Sequence, residues 1–323
     1  MAKKRKSTAK KKPAKAAPAK KSAPKKSAPK KSSKKTSQAS NGGKWLVAAG
    51  VAGLAAIGAI VYAQGERDHE RPEVSPVEVD EPAAAEPDMV VTIPESLQVR
   101  VQSRYAHDPD AFTQGLLWHE GKIYESTGRY GHSTLRRVDL ATGRVEQEVA
   151  LDDNYFAEGL ARVGNRLIQL TWQSHKAFIY DLATLEQVGE FDYETEGWGL
   201  CYNGTDLVMS DGSSSLYFRD PSDFSVRREV QVLKAGRPLR NLNELECVDG
   251  DVYANVWQRD EIVRINSVTG SVEASIRASG LLDREERRGT DVLNGIAYLP
   301  DSRRFLITGK LWPTAFEVDF EER

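Results

Sequence analysis

A five-residue phrase recurs at a fixed interval, and that recurrence limits the possible folds more than any other feature. The phrase reads FTQGL at Phe112–Leu116 and FAEGL at Phe156–Leu160. Its closing leucines lie 44 residues apart, and drifted copies end at Leu200, Leu245 and Ile296, giving intervals of 44, 40, 45 and 51 residues. Each marker opens a unit of short alternating apolar runs such as GKIYEST, NRLIQLTW and RRFLITGK, broken by Gly, Asn and Asp. Alternation over four to eight residues between turn formers is the strand pattern, and long stretches of helical period are absent. A period above 40 with about four strands per unit is the mark of a propeller, which a β-sandwich does not explain. Five such units fill residues 100–320, so the pattern predicts an all-β fold, a five-bladed β-propeller.

In a propeller the innermost strand of every blade runs along a shared axis. The residue two places before each marker should face that axis: Gln114, Glu158, Trp198, Asn243 and Asn294. Structural inner strands favour small or aliphatic residues. A ring of hydrogen-bonding side chains with one ionisable member, Glu158, reads instead as the floor of a small-molecule site. The second strands add another tier, with Glu125, Trp172, Asp211, Trp257 and Lys310 near their ends. Either Trp172 or Trp257 alone fits ordinary packing. Together with Trp198 they predict an aromatic-walled pocket.

The chain before this domain is built differently. Residues 1–44 hold 17 of the 45 Lys and Arg and no acid, leaving 28 basic against 47 acidic residues for the rest, a formal −19. Lys, Ala, Pro and Ser offer nothing to bury, so 1–44 is expected to be a disordered tail. It suits anionic lipid, or nucleic acid through counterion release, or serves only as a solvated flank. Residues 45–65 then carry a charge-free run, Trp45–Ala63. A helix of that length spans ~28 Å, close to the hydrocarbon thickness, so 45–63 is expected to cross a membrane. Dense positive charge before it predicts a cytoplasmic N-terminus and a periplasmic or otherwise extracytoplasmic domain. Cleavage after Ala63, which would release the domain, is the alternative. Residues 66–95, rich in acid and proline, read as a linker, and 96–323 as the catalytic domain, expected to act as a monomer. Two cysteines, Cys201 and Cys247, fall on the exported side. A disulfide is permitted there and two buried thiols are equally compatible.

Several chemistries are disfavoured by what the sequence lacks. The five histidines, His69, His107, His119, His132 and His175, show no paired metal-ligand spacing, so neither a metal nor another cofactor is expected. His107 in HDPD reads as satisfying a turn. DGSSS at 211–215 reads as a turn rather than a nucleophile elbow, and no glycine-rich phosphate loop is present.

Five long stretches, HDPDAFTQGLLW, GKIYESTGRYGHSTLRRVDLATG, FAEGL, NELECVDGDVYANVWQRDEIVRI and LNGIAYLPDSRRFLITGKLWP, resemble the plant and bacterial type of glutaminyl-peptide cyclotransferase. The resemblance spans about residues 100–320 and implies a five-bladed propeller that converts N-terminal glutaminyl residues of peptides and proteins to pyroglutamate, releasing ammonia. It implies Glu158 as the acid/base, with Gln114, Asn243 and Lys310 as further catalytic residues. Phe112, Phe156, Trp172, Trp198 and Trp257 would form the substrate walls. The Lys310 match depends on an insert at 283–290. Two other readings remain: a catalytically silent, membrane-anchored propeller binding peptide N-termini, and a metal-dependent propeller hydrolase, against which the histidine pattern argues.

Overall fold

The computed structural model describes residues 91–323. The tail expected at 1–44, the apolar segment at 45–65 and the linker up to residue 90 lie outside them. Among the described residues every regular element is a strand, and no helix is long and apolar enough to cross a membrane.

The strands fall into repeating sets. β1 (Glu95–Ala106) comes first. The first set is β2 (Thr113–His119), β3 (Lys122–Thr127), β4 (Thr134–Asp139) and β5 (Arg144–Ala150). The second is β6 (Ala157–Val163), β7 (Arg166–Thr171), β8 (Lys176–Asp181) and β9 (Gln187–Asp192). The third is β10 (Leu200–Tyr202), β11 (Leu207–Ser210), β12 (Ser215–Arg219) and β13 (Val226–Gln231), followed by the short pair β14 (Leu233–Lys234) and β15 (Arg237–Pro238). The fourth is β16 (Leu242–Val248), β17 (Asp251–Val256), β18 (Glu261–Asn266) and β19 (Val272–Arg277), and the fifth begins with β20 (Leu293–Leu299), β21 (Arg304–Gly309) and β22 (Thr314–Glu322). Within each set the strands pair antiparallel in chain order. One turn chemistry recurs between third and fourth strands. Asp139, Asp181, Asp220 and Asn266 each accept a backbone N–H two or three residues on, and each turn is closed further by a backbone N–H four residues on donating to the same residue's carbonyl.

The fifth set lacks a fourth strand of its own, and β1 supplies it. β1 runs antiparallel to β22 from Leu97↔Glu322 to Ala106↔Thr314, and its first residues also pair parallel with β19. The first strands contact one another in the cyclic order β2, β6, β10, β16, β20 and back to β2, a propeller-like ring. The apolar core is correspondingly divided. Five separate clusters each lie between two neighbouring sets, and each contains one marker residue: Leu160, Leu200, Leu245, Ile296 and Leu116. The leucine of the repeated phrase therefore wedges the preceding interface.

The glycine before it faces the following set. A Cβ on Gly115 would lie 2.6 Å from Leu160 N, and one on Gly199 only 2.0 Å from Asn243 O, so these backbones approach too closely for any side chain. At the equivalent place in β16 the chain carries Glu244 instead. Its carboxylate is buried and accepts the N–H groups of Leu116 at 3.2 Å and Ile296 at 2.7 Å, tying three inner strands together. Cys201 and Cys247 form a disulfide with Cα atoms 5.5 Å apart, so of the two arrangements open to them the bonded one is found, joining β10 to β16.

Replacing Glu244 with Ala orphans two buried N–H groups at about 1–3 kcal/mol each. Thermal denaturation of Glu244→Ala should therefore show a loss of about 2–6 kcal/mol, whereas substitution at exposed Glu120 should leave the midpoint unchanged.

Candidate active site

The ring positions gain their orientation from a local break in pairing. In β2, β6, β16 and β20 the register slips at the same place, between Thr113 and Gly115, Ala157 and Leu160, Leu242 and Leu245, and Leu293 and Ile296. Such a bulge frees a residue from the ladder and re-aims its side chain. The freed residues include Gln114, Glu158, Asn243 and Asn294. In the third set the strand starts only at Leu200, just after Trp198 and Gly199. A second repeated contact fixes the rim. Gly128, Trp172, Trp257 and Lys310 each follow a second strand, and their N–H groups donate at 2.9 Å to the carbonyls of Phe112, Phe156, Asn241 and Val292, the residues just before the first strands.

These two devices bring all nine expected residues to one cavity of about 360 Å³: Phe112, Gln114, Phe156, Glu158, Trp172, Trp198, Asn243, Trp257 and Lys310. Its volume falls in the usual range for small-molecule sites. The aromatic residues form linked edge-to-face contacts. Phe112 meets Phe156 at 6.2 Å, Phe156 meets Trp172 at 5.8 Å, and Trp198 meets Trp257 at 5.6 Å. Tryptophans that packing alone could have explained are thus walls of a cavity.

Other expected residues lie elsewhere. Asn294 does not reach the cavity; it is fully buried behind Gln114, donating to Thr113 O at 3.0 Å and Gln114 Oε1 at 3.2 Å. Glu125 is no part of the second tier, since its carboxylate turns inward to accept from Thr113 Oγ1 at 2.7 Å and to meet His107 Nε2 at 3.0 Å. The residue of the first set that matches Trp172 in place is Gly128. Asp211 binds Ser213 N and Tyr217 Oη and is absent from the wall. His107 does more than satisfy a turn, because its Nδ1 also reaches Trp312 O at 2.6 Å and so ties the first set to the fifth.

Glu158 is the buried carboxylate on the cavity wall. Gln114 Nε2 donates to its Oε1 at 3.0 Å, and the bond from Asn294 to Gln114 Oε1 keeps that amide turned the right way. Burial pushes the Glu158 carboxyl well above the usual range; the positive charge of Lys310 opposes this and the negative charge of Glu196 adds to it. Burial also lowers the Lys310 ammonium, while Glu158 and Asp291 hold it up. Lys310 Nζ stands 4.8 Å from the Phe112 ring centroid, so an aromatic face supplies part of its surroundings. The Asn243 side chain forms no hydrogen bond to protein among the described residues, and its Oδ1 is buried without a partner. A buried amide left free in a cavity wall is suited to a polar ligand.

A family model described as glutamine cyclotransferase matches residues 76–320. The chain belongs to the glutamine cyclotransferase family. A glutaminyl-peptide cyclotransferase of Arabidopsis thaliana is 44% identical over 230 residues, 70% of this chain and 72% of that protein. The crystal structure of Myxococcus xanthus glutaminyl cyclase superimposes with a TM-score of 0.64 at 40% identity, covering 71% of this chain and 98% of that one.

In this member of the family the site also uses residues that the repeat did not mark. Gln258, Asp291 and Val292 complete the cavity wall, and Glu196, which does not line it, braces two of its indoles. Glu196 Oε2 accepts the indole N–H of Trp172 at 2.7 Å and of Trp198 at 3.0 Å, and Oε1 accepts from Gln173 at 2.8 Å. One carboxylate therefore joins the two halves of the aromatic wall. Although partial burial works the other way, the bonds from Gln173, Trp198 and Trp172 and the nearby His175 hold its carboxyl below the usual range. Its sequence signal was adjacency: Glu196 lies two residues before a ring position, in a loop outside the strand pattern.

In Glu196→Ala the indole N–H resonances of Trp172 and Trp198 should move upfield together, with a stability loss of about 1–3 kcal/mol. Glu196→Gln, which keeps an acceptor, should move them less.

Proposed function

We propose that the domain binds the N-terminal glutaminyl residue of a peptide or protein and closes it to pyroglutamate, with Glu158 carrying the proton. Family membership supports the reaction, making the enzyme an acyltransferase that acts as a glutaminyl-peptide cyclotransferase. One observation supports the residue: Glu158 is buried and raised, yet lines an aromatic-walled cavity of about 360 Å³, room enough for a glutaminyl residue.

The reaction joins two groups of one residue. The neutral α-amine attacks the γ-carbonyl carbon, a C–N bond forms, and the bond to the side-chain nitrogen breaks. Holding that residue folded back supplies much of the rate. Phe112, Phe156, Trp172, Trp198 and Trp257 supply the apolar walls against which the folded-back rotamer would pack. A model α-amine has a pKa of ~7.7–8.0, so a sizeable fraction is neutral near pH 7–8. The attacking nitrogen must still lose a proton, and the departing nitrogen must gain one to leave as ammonia. Ionised Glu158 accepts the first and, now neutral, returns it, so atoms and charge balance over the turnover. A carboxyl whose pKa lies well above the ordinary value is matched to both halves. Negative charge growing on the γ-oxygen is stabilised by donors, for which the free amide of Asn243 and the ammonium of Lys310 are placed on the wall. Gln114 is committed to Glu158 and serves to aim it.

The finer architecture follows the same proposal. The ring is a five-bladed propeller closed by β1, and residues 45–63 tether it to a membrane with the domain extracytoplasmic. The Cys201–Cys247 bond suits an oxidising compartment. Protease added to cells with a permeabilised outer layer should release the domain and spare the Lys-rich tail; loss of the tail would reverse the orientation.

Ammonia release from a Gln-initiated dipeptide by residues 91–323 tests the function. Glu158→Gln should lower kcat by about 10²–10⁴-fold while the protein stays folded; equal rates in both would remove Glu158 from the mechanism. The acid limb of kcat/KM should contain the Glu158 ionisation, because the base form starts the reaction. Removing the Lys310 charge in Lys310→Met raises that ionisation further and should move the limb to higher pH. Glu196→Gln removes a negative neighbour and should move it to lower pH. The limb from the substrate amine stays fixed in all three.

A further inference from the structure

A substrate whose first residue fills the cavity must lead the rest of its chain out through the mouth. Against the outer side of two lining residues, Phe112 and Phe156, lies a loop, residues 128–133, that does not itself line the cavity and that the reaction does not use. Its backbone is held on the cavity wall at several points. Gly128 N donates to Phe112 O at 2.9 Å and Gly131 N to Asp153 O at 3.0 Å. Ser133 Oγ accepts from Arg129 N at 3.1 Å and Ala157 N at 3.0 Å, and lies within donating distance of the Arg129 and Tyr155 carbonyls. A Cβ at Gly128 would lie 2.2 Å from Ala157 O and 2.5 Å from the Phe156 ring, so glycine lets the loop lie flat against that wall. Such a loop presents its side chains with little ordering left to lose.

The side chains it presents beside Phe112 and Phe156 are Arg129 and Tyr130; His132, also exposed, contacts neither ring. Tyr130 is 50% exposed, with its ring 5.4 Å from that of Phe156 and edge-on to it. The Arg129 guanidinium lies 5.2 Å from the Phe112 ring centroid. It has no carboxylate partner among the described residues, and Asp153, whose carboxylate lies against Gly131, does not pair with it. An unpaired cation and a half-bare aromatic ring, fixed beside two wall residues, form a recognition surface rather than a solvated turn.

We propose that Arg129 and Tyr130 form a subsite for the residues that follow the N-terminal glutamine, with Arg129 selecting an acidic side chain at the second or third position. This rests on the reading of the cavity as a glutaminyl site. Tyr130 covers the intervening backbone and adds apolar contact for whatever side chain lies across it.

C-terminally amidated peptides that carry Glu, Ala or Lys after the initial Gln provide the test, with kcat/KM read from ammonia release. The order Glu over Ala over Lys is expected, with steps of about two- to five-fold, the value of one exposed ion pair, shrinking as salt is added. Arg129→Glu should invert the order and Arg129→Ala should flatten it, with the Ala peptide little affected in either. Tyr130→Ala should lower kcat/KM for all three peptides by a similar factor. The subsite is overturned if the wild type and Arg129→Glu rank the peptides alike while both turn over the Ala peptide. Absence of turnover for every peptide in the wild type would instead overturn the glutaminyl reading, and the subsite with it.

Discussion

The domain depends on how closely five strands approach at their axis. At Gly115, Gly159 and Gly199 one inner strand meets the next across a glycine whose missing side chain lets backbone touch backbone, as where a Cβ on Gly199 would fall 2.0 Å from Asn243 O, whereas β16 reaches its neighbours through the Glu244 carboxylate. The adjoining leucine or isoleucine wedges apolar bulk into the other side. Close approach on one edge and a wedge on the other set the angle between neighbouring sets, and that angle repeated closes a ring. In β2, β6, β16 and β20 the ladder to the second strand also breaks at this place. The resulting bulge releases the residue before the glycine, which turns toward the axis. Fold and site therefore meet in three consecutive residues of the repeated phrase, one that faces the cavity, one at the close approach and one that wedges the core.

Much of this was legible before any coordinates, for a physical reason. A propeller-like ring of β sets repeats the same local geometry, so the phrase that builds one set recurs in the next, and differences between copies stand out against a constant frame. Gln114, Glu158, Trp198 and Asn243 were found in that way. Lys310, whose match depends on an insert, reaches the same cavity, and its N–H pairs with Val292 O as that of Trp172 pairs with Phe156 O. What escaped notice lies outside the repeat. β1 belongs to no copy, and its pairing with β22 spans most of the domain in sequence. Glu196 lies in a connecting loop and acts through two indoles. Asn294 obeys the repeat and still misses the cavity, because Gln114 stands in front of it and accepts its hydrogen bond. Glu125 was misplaced for a related reason: its side chain found a better partner in His107 beneath the wall.

The aromatic wall shows how a pocket with few polar groups remains specific. Edge-to-face contacts of about 0.5–1.5 kcal/mol each hold the rings against one another. They leave a gap between Trp172 and Trp198, which Glu196 bridges through both indole nitrogens. The bridge has an electrostatic side effect, since a negative charge behind the wall disfavours a second one on Glu158. Lys310 pulls the other way from across the cavity. The proton affinity of Glu158 is therefore set by burial and then trimmed by two opposed charges, neither of which forms an ion pair with it.

Glu158 and Glu244 make the most instructive comparison in the molecule. They occupy neighbouring steps of the same repeated phrase, both are buried, and burial pushes both carboxyls well above the ordinary range. A perturbed carboxyl is often read as a functional one. Here it separates nothing, because Glu244 shares the property and faces no cavity. The distinction lies in what the oxygens do. Both oxygens of Glu244 accept backbone N–H groups from other inner strands, so it holds the ring shut, with each oxygen committed to the backbone. Glu158 receives one side-chain hydrogen bond from protein, on Oε1, and lines the cavity. Proton transfer needs a carboxyl that is both displaced in affinity and unspent in hydrogen bonding. Of the two, only Glu158 meets both conditions, because the bulge aims it at the cavity and Gln114 occupies just one of its oxygens.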